Sequence, residues 1–274
     1  MVMEMRKAKL AANLKWLFKE HEFESRFEAA ARAGFQGVEY PNPYPFAPTQ
    51  LRGWLDRAGL TQVLINTPGG PSGSPSEFGS AGVPGCEQEF RNGFLSALEY
   101  ADRLDAGVIH VMAGNVPPEA TRRQAAATLV ANMSWALEQA RDMDVVLVLE
   151  AINRCTMPRQ SLDEIEHAAE IAAVFNTPKL GVLFDVFHVQ RSGGNVLERL
   201  QNLAPWIAHV QVADSPLRHE PGTGEIAYSA VFDQLDKIGY DDWIGCEYEP
   251  SSSTLESLWW RGPLGYEPAG LPTA

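Results

Sequence analysis

Four oxygen-bearing side chains interrupt or end four otherwise apolar stretches in the second half of this 274-residue chain. Glu150 closes VVLVLE, Asp185 closes LGVLFD, Gln211 lies within IAHVQVAD, and Glu247 sits in DWIGCEY. Three carboxylates brought together out of water repel one another unless they take up protons or meet a counterion. A single such residue serves as readily to cap a helix or pair with an arginine. Four on successive apolar segments instead predict a divalent metal held by Glu150, Asp185, Gln211 and Glu247. Hard oxygen donors with one amide and no thiolate favour Mg²⁺ or Mn²⁺ over zinc, and Co²⁺ also fits. Three residues after Asp185, in FDVFHVQ, comes His188. Positions i and i+3 of a continuing strand face opposite sides, so His188 joins the group only if the chain leaves the strand at Asp185. A loop that bends the imidazole back over the site, against a substrate oxygen, is expected there. His209, on the same face as Gln211, and His110, in GVIHVM, read as satisfied core histidines.

The elements that must position these groups alternate. Strand candidates are 9–14, 37–40, 61–66, 107–112, 145–150, 180–185, 207–214 and 242–248, with amphipathic segments between them. Among the latter, SLDEIEHAAEIAAVF has Ser161 as an expected N-cap and Glu164 three residues on as its capping-box partner. Eight repeats in about 250 residues fit one (β/α)₈ TIM barrel better than an open doubly wound sheet, and the chain 1–274 is read as a single domain. No G-x-G-x-x-G follows any strand candidate. The irregular stretch TPGGPSGSPSEFGSAGVPG, 67–85, follows the third strand and so belongs on the catalytic face, either as a built loop or as a floppy one.

A net charge of -13 opposes phosphate backbones and anionic bilayers, which argues against nucleic-acid and membrane partners. Cys86, Cys155 and Cys246 are odd in number and lack C-x-x-C spacing, as suits a reducing compartment, and the cytoplasm is expected. The first residues carry no signal-peptide apolar region, and no run of about 18 apolar residues occurs.

AANLKWLF (11–18), RAGFQGVEY (32–40), LEAIN (149–153), FDVFHVQ (184–190), HVQVADSPLRHEPGTGEI (209–226) and GYDDWIGCEYEP (239–250) together resemble the hydroxypyruvate isomerase family of xylose-isomerase-like barrels. The resemblance runs in order over nearly the whole chain. It implies a divalent metal and interconversion of an α-hydroxy aldehyde with an α-hydroxy ketone, as in hydroxypyruvate to tartronate semialdehyde. The partner it implies is therefore a small hydroxy-carbonyl substrate. Carried onto this chain, the family's two acid/base glutamates fall on Glu150 and Glu247, with Asp185 and Gln211 completing the metal set. Such a shift needs a proton removed from the hydroxyl-bearing carbon and returned to its neighbour, which suits two carboxylates. Arg218, in LRHEPG, has the planar fork for a substrate oxygen or carboxylate; its competing reading is a surface partner of Glu220 or Glu225. Alternatives on the same scaffold are a 2-oxo-tetronate isomerase and a ketose 3-epimerase. An abasic-site endonuclease is disfavoured by the charge and the few histidines. A sugar-acid binder without turnover is disfavoured by the intact glutamates.

Two departures bear on the substrate. Cys86 in VPGCE and Glu249 in CEYEP stand where the family usually carries cations. An extra carboxylate near the site would repel an acid, so a less acidic hydroxy-carbonyl compound is the expected substrate. Arg154 and Arg159 are candidates to restore the missing positive charge. Near the end, Trp259 and Trp260 offer either packing beneath the barrel or a contact in a homo-oligomer.

Overall fold

Each apolar, β-branched run becomes a parallel strand once it is covered on both faces, and an intervening helix supplies the outer cover. The computed structural model describes residues 6–266. Its strands are β1 (Lys9–Asn13), β2 (Gly37–Glu39), β3 (Thr61–Asn66), β4 (Val108–His110), β5 (Val146–Glu150), β6 (Leu180–Asp185), β7 (Ile207–Val212) and β8 (Trp243–Cys246). They close into one barrel in chain order, β8 pairing with β1. The helices are α1 (Phe23–Arg32), α2 (Pro48–Ala58), α3 (Glu87–Leu104), α4 (Arg122–Gln139), α5 (Ile165–Phe175), α6 (Val186–Arg191), α7 (Val196–Leu203) and α8 (Tyr228–Lys237). The protein is a (β/α)₈ TIM barrel, and six of its strands are shorter than the apolar runs suggested. Glu247 consequently lies one residue beyond β8, although its N–H still reaches the Val212 carbonyl at 3.2 Å.

Inside the barrel, Ala11, Val63, Leu64, Val148 and Leu183 form a small apolar cluster, with Trp243 packed against it. Gly37 has no side chain because a Cβ would sit 2.7 Å from the Trp243 ring. Above this apolar plug the inward positions turn polar. Outside, a larger core fills the space between strands and helices, with Phe27, Phe90, Phe94, Phe232 and Trp260 fully buried in it. Trp260 stacks on Phe232 of α8 at 5.9 Å within this outer core, whereas Trp259 is 53% exposed beside Gly222.

Helix starts follow local chemistry in one case and tertiary pull in another. Thr121 caps α4 and forms a reciprocal capping box with Gln124. For α5 the expected Ser161 cap is wrong: the N-cap is Glu164, and no side chain caps it. Residues 160–163 are drawn away from the helix by an antiparallel bridge between Asn115 and Gln160, by the Ser161 N–H on the Gly114 carbonyl at 2.9 Å, and by Arg122 and Arg154 on Asp163.

Segment 67–85 is a built loop. It leaves the C-terminal end of β3 and is laced to the β4–α4 connection through Ala81 N–H to Met112 O (3.2 Å) and Gly82 N–H to Ala113 O (2.7 Å), while Asn115 N–H bonds Pro75 O (3.0 Å). Its own Ala81 and Val83 are buried. Among the described residues no helix is long and apolar enough to cross a membrane.

Gly114 sits at the centre of this lacing with φ 82°, and a Cβ there would run into the Gly79 carbonyl. A left-handed alanine and a backbone overlap together cost about 2–4 kcal/mol. Gly114→Ala should therefore lower Tm by roughly 5 °C or more. Gly107→Ala, where nothing lies within 4 Å of the added carbon, should unfold with the wild type. Equal melting temperatures for all three proteins would contradict the anchored loop.

Candidate active site

Asp185 is the last residue of β6 and at the same time the N-cap of α6, its Oδ1 accepting the Phe187 N–H at 2.8 Å. The turn after Asp185 is thus a helix rather than the loop expected from sequence. Helical winding brings positions i and i+3 to one side. His188 Nε2 accordingly lies 3.6 Å from Asp185 Oδ2 and 3.7 Å from Glu150 Oε1. On its other side, His188 Nδ1 meets the Asn153 side-chain amide at 2.6 Å. Glu150 Oε2 faces His110 Nε2 at 3.6 Å, so His110 borders the site rather than only filling the core. Ligand atoms of Glu150, Asp185 and His188 lie within 4.8 Å of one another, close enough to share a cation.

Burial governs the protonation of this group. It drives the Glu150 carboxyl well above the ordinary range, reinforced by Asp185 and Glu247. It raises Asp185 from 3.8 to about 7, against the favourable Arg218 charge and two backbone N–H groups. The same desolvation lowers His110 to about 3 and holds His188 well below its usual value, with Arg218 adding to the latter effect. Both imidazoles are neutral at physiological pH.

Among the described residues, Arg218 is the one arginine or lysine inside the group. Its Nη2 donates to Glu247 Oε2 at 2.8 Å and to Asp185 Oδ2 at 3.3 Å, and its guanidinium carbon stands 5.0 Å from the ring centroids of both Trp16 and Phe187. It is therefore no surface partner of Glu220 or Glu225. The R-x-E-P-G-T-G-E-I loop exists to deliver it. Asp214, buried at the root of that loop, accepts four backbone N–H groups, from Ser215, Gly222, Gly224 and Ile226. Glu220 accepts the Ser251 N–H at 3.0 Å, and Glu225 takes the Ser215 hydroxyl at 2.8 Å. Arg218 itself has φ 61°, held by Arg218 N–H on Asp214 O (2.8 Å) and Glu249 N–H on Arg218 O (2.9 Å). Left-handed backbone at a non-glycine residue costs about 1–3 kcal/mol and persists only where its surroundings hold it.

Gln211 stands beside Asp185 in the β6–β7 register. Its Nε2 donates to Glu39 Oε1 at 2.7 Å, while its Oε1 is buried without a partner. Glu150 Oε1 is likewise buried without a partner. Two orphaned acceptor oxygens beside Asp185 and Glu150 are the donor chemistry of a hard-cation site. Glu247 stands apart from the compact group of Glu150, Asp185 and His188, because the Arg218 guanidinium lies between it and Asp185.

Sequence reasoning missed a second tier. Glu39, at the end of β2, is fully buried and receives Asn13 Nδ2 at 3.0 Å and His209 Nε2 at 2.8 Å besides Gln211. His209 is thus a satisfied buried histidine, as expected, but its partner went unseen. Asn13 Nδ2 and Trp16 Nε1 each also reach Glu247 Oε1 at 3.3 Å. The available signal was Glu39 itself, a carboxylate at the end of an apolar run like Glu150 and Asp185. A three-residue strand was too short to display it.

The charge expectation does not hold in the form given. Glu249 is paired with Lys19 at 2.7 Å and is offset by it rather than facing a substrate alone. Arg154 is committed to Asp163, and Arg159 to the Val116 carbonyl, so neither supplies charge to the site. Cys86 is the half-buried N-cap of α3, and its burial and the nearby Glu89 push the thiol up.

Comparison with known proteins places this geometry. The family model for the xylose isomerase-like TIM barrel matches residues 27–263. The chain is 40% identical over 255 residues to a 2-oxo-tetronate isomerase of Cupriavidus necator, covering 93% of this chain and 98% of that one. It is 36% identical over 255 residues to the hydroxypyruvate isomerase of Escherichia coli, with coverage of 93% and 98%. A crystal structure from Brucella melitensis, titled AP endonuclease family 2, superposes with a TM-score of 0.89 at 34% identity, covering 93% of this chain and 98% of its own. The chain therefore belongs to the xylose isomerase-like TIM barrel family and, within it, is an isomerase of the hydroxypyruvate isomerase family.

Proposed function

We propose that this isomerase interconverts a 2-oxo-3-hydroxy acid with its 3-oxo-2-hydroxy isomer, with a divalent cation, Mg²⁺ or Mn²⁺, at the strand-end carboxylates. The observation that carries the reading is the partnerless oxygens Glu150 Oε1 and Gln211 Oε1, with Gln211 beside Asp185 and an arginine already bonded to that carboxylate. Hydroxypyruvate and 2-oxo-tetronate, the compounds that name the relatives, share a carbonyl next to the carboxylate and a hydroxyl on the following carbon. One active site can therefore serve either acid, and relatives at 36–40% identity are named for each of them.

Glu150, Asp185, Gln211 and Glu247 would hold the cation, and when bound it supplies positive charge to the two substrate oxygens as the enediolate forms. Glu150 and Glu247 come from β5 and the end of β8, three strands apart around the ring, so they reach a substrate from different sides. One, ionised, takes the proton from the hydroxyl-bearing carbon and the other, protonated, gives one to the former carbonyl carbon; the hydroxyl proton moves to the former carbonyl oxygen, and the two carboxyls recover their starting states by proton exchange with solvent. No electron leaves the substrate. Arg218, which bridges Asp185 and Glu247 in the cation-free protein, is freed when those carboxylates take the cation and presents its N–H groups to the substrate carboxylate or C2 oxygen. His188, neutral and fixed by Asn153, donates or accepts at a substrate hydroxyl through Nε2. Trp16 and Phe187 wall the guanidinium and keep bulk water from it. The three free cysteines suit work in the reducing cytoplasm.

Glu150→Gln and Glu247→Gln should each lose about 10²-fold or more in kcat, because an amide accepts no proton from carbon. The assay is proton NMR of 2-oxo-tetronate and hydroxypyruvate in deuterated water with Mg²⁺ or Mn²⁺, where wild type should insert solvent deuterium at C2 or C3. Full turnover by both variants would move the base elsewhere.

The cation-free protein should also show a pH signature. Asp185 holds its proton to about pH 7 when folded but only to 3.8 as an ordinary carboxyl, so its contribution to stability is present at low pH and lost as pH rises from about 4 to about 7. In urea titrations with chelator, wild type should lose stability between pH 5 and pH 8 relative to Asp185→Asn. Parallel pH profiles for the two proteins would contradict the raised value.

A further inference from the structure

Glu39 touches neither the compact group of Glu150, Asp185 and His188 nor Arg218, yet it is a fully buried carboxyl at the centre of three side-chain hydrogen bonds. A buried acid contributes little to stability compared with an apolar residue of its size, so packing does not account for it. The barrel is built around it all the same. Gly245, which pairs with Gln211 across β7 and β8, lies so close that any Cβ would overlap the Glu39 carboxylate. The β2–β3 register also slips between Val38 and Glu39.

We propose that Glu39 is a positioning residue that fixes the Gln211 amide with its oxygen, not its N–H₂, toward the cation, and that steadies Glu247 through Asn13. The inference rests on the cation reading above. A side-chain amide has one accepting and one donating end, and rotation by half a turn exchanges them. Asn13 is oriented independently, because its Oδ1 accepts the Lys15 N–H at 3.1 Å; its Nδ2 must then face Glu39 Oε1 at 3.0 Å. The same Glu39 Oε1 takes Gln211 Nε2 at 2.7 Å, and His209 Nε2 fills Oε2 at 2.8 Å. With its nitrogen committed, Gln211 has only Oε1 left to offer, and that atom has no partner in the protein. The reversed amide would set two oxygens against each other at Glu39 and turn N–H groups toward a cation. Asn13 Nδ2 extends the same restraint to Glu247 Oε1 at 3.3 Å.

The test is Mn²⁺ binding to the purified full chain by titration calorimetry, with thermal unfolding recorded alongside, for Glu39→Leu, Glu39→Gln, Gln211→Ala and the Glu39→Leu/Gln211→Ala pair. Partners that orient ligands usually contribute about 10–100-fold in metal affinity. Glu39→Leu should weaken Mn²⁺ by roughly tenfold or more, and most of that loss should vanish when Gln211 is already alanine. Glu39→Gln keeps one accepting oxygen for Asn13 and Gln211, while His209 can accept its new N–H by changing tautomer; it should stay within about threefold of wild type. If Glu39→Leu does not fold, Glu39→Asp, which draws the carboxylate back by one methylene, should show the tenfold loss instead. A loss that persists undiminished in the Gln211→Ala background, or a Glu39→Gln loss as large as that of leucine, would overturn the orienting role in favour of general structure or charge. A wild type that takes up no Mn²⁺ would overturn the cation reading itself; tight wild-type binding with Glu39→Leu unchanged would overturn only the role of Glu39.

Discussion

Like charge at the top of the barrel is the constraint around which the site is arranged. Glu39, Glu150, Asp185 and Glu247 bring four carboxyl groups into one small volume, with Arg218 as the only arginine or lysine among the described residues bonded to any of them. A low-dielectric interior makes such crowding costly unless protons, hydrogen bonds or cations relieve it. Each group has a different relief. Glu39 is saturated by amides and an imidazole, Asp185 by a helix N-terminus and Arg218, Glu247 by Arg218, Asn13 and Trp16. Glu150 has only a neutral histidine on either side, and burial, with the Asp185 and Glu247 charges, drives its carboxyl well above the ordinary range. The unevenness is what makes the place chemically useful, since a proton held there is easily exchanged when a cation or substrate charge arrives.

The scaffold supplies this arrangement with few devices. Parallel strands closed into a ring point their C-terminal ends at one mouth, so one polar residue per strand suffices to assemble the group. The strands end where the side chains are needed, and the chain turns into a helix directly at Asp185 and into a clamp directly after β7. That clamp is a loop wound about the Asp214 carboxylate, and it spends backbone strain at Arg218 to hold a guanidinium over the site. The apolar plug beneath, from Trp243 to Leu183, sets the depth at which polar side chains begin.

Much of this was legible from residue order. The eight-fold alternation gave the barrel, and a carboxylate ending an apolar run marked Glu150 and Asp185, because nothing in a strand's own packing calls for one. Local signals failed where distant contacts decide. Ser161 has the ideal residue type and spacing for a helix cap, yet bonds to the β4–α4 connection outweigh it. Glu249 looked like an unpaired charge because Lys19, its partner, is 230 residues away in sequence. Glu39 and Asn13 stayed hidden for a similar reason: their meaning comes from Gln211 and Glu247, across the closure of the ring. His110 was legible as buried, but not as the neighbour of Glu150.

The most direct measurement is an anomalous-difference map from crystals of the full chain grown with Mn²⁺. A single strong peak is predicted about 2.0–2.3 Å from oxygens of Glu150, Asp185, Gln211 and Glu247, with the Arg218 guanidinium no longer bridging Asp185 and Glu247. A map with no peak among these residues at saturating Mn²⁺, and with Arg218 still seated between the two carboxylates, would contradict the account.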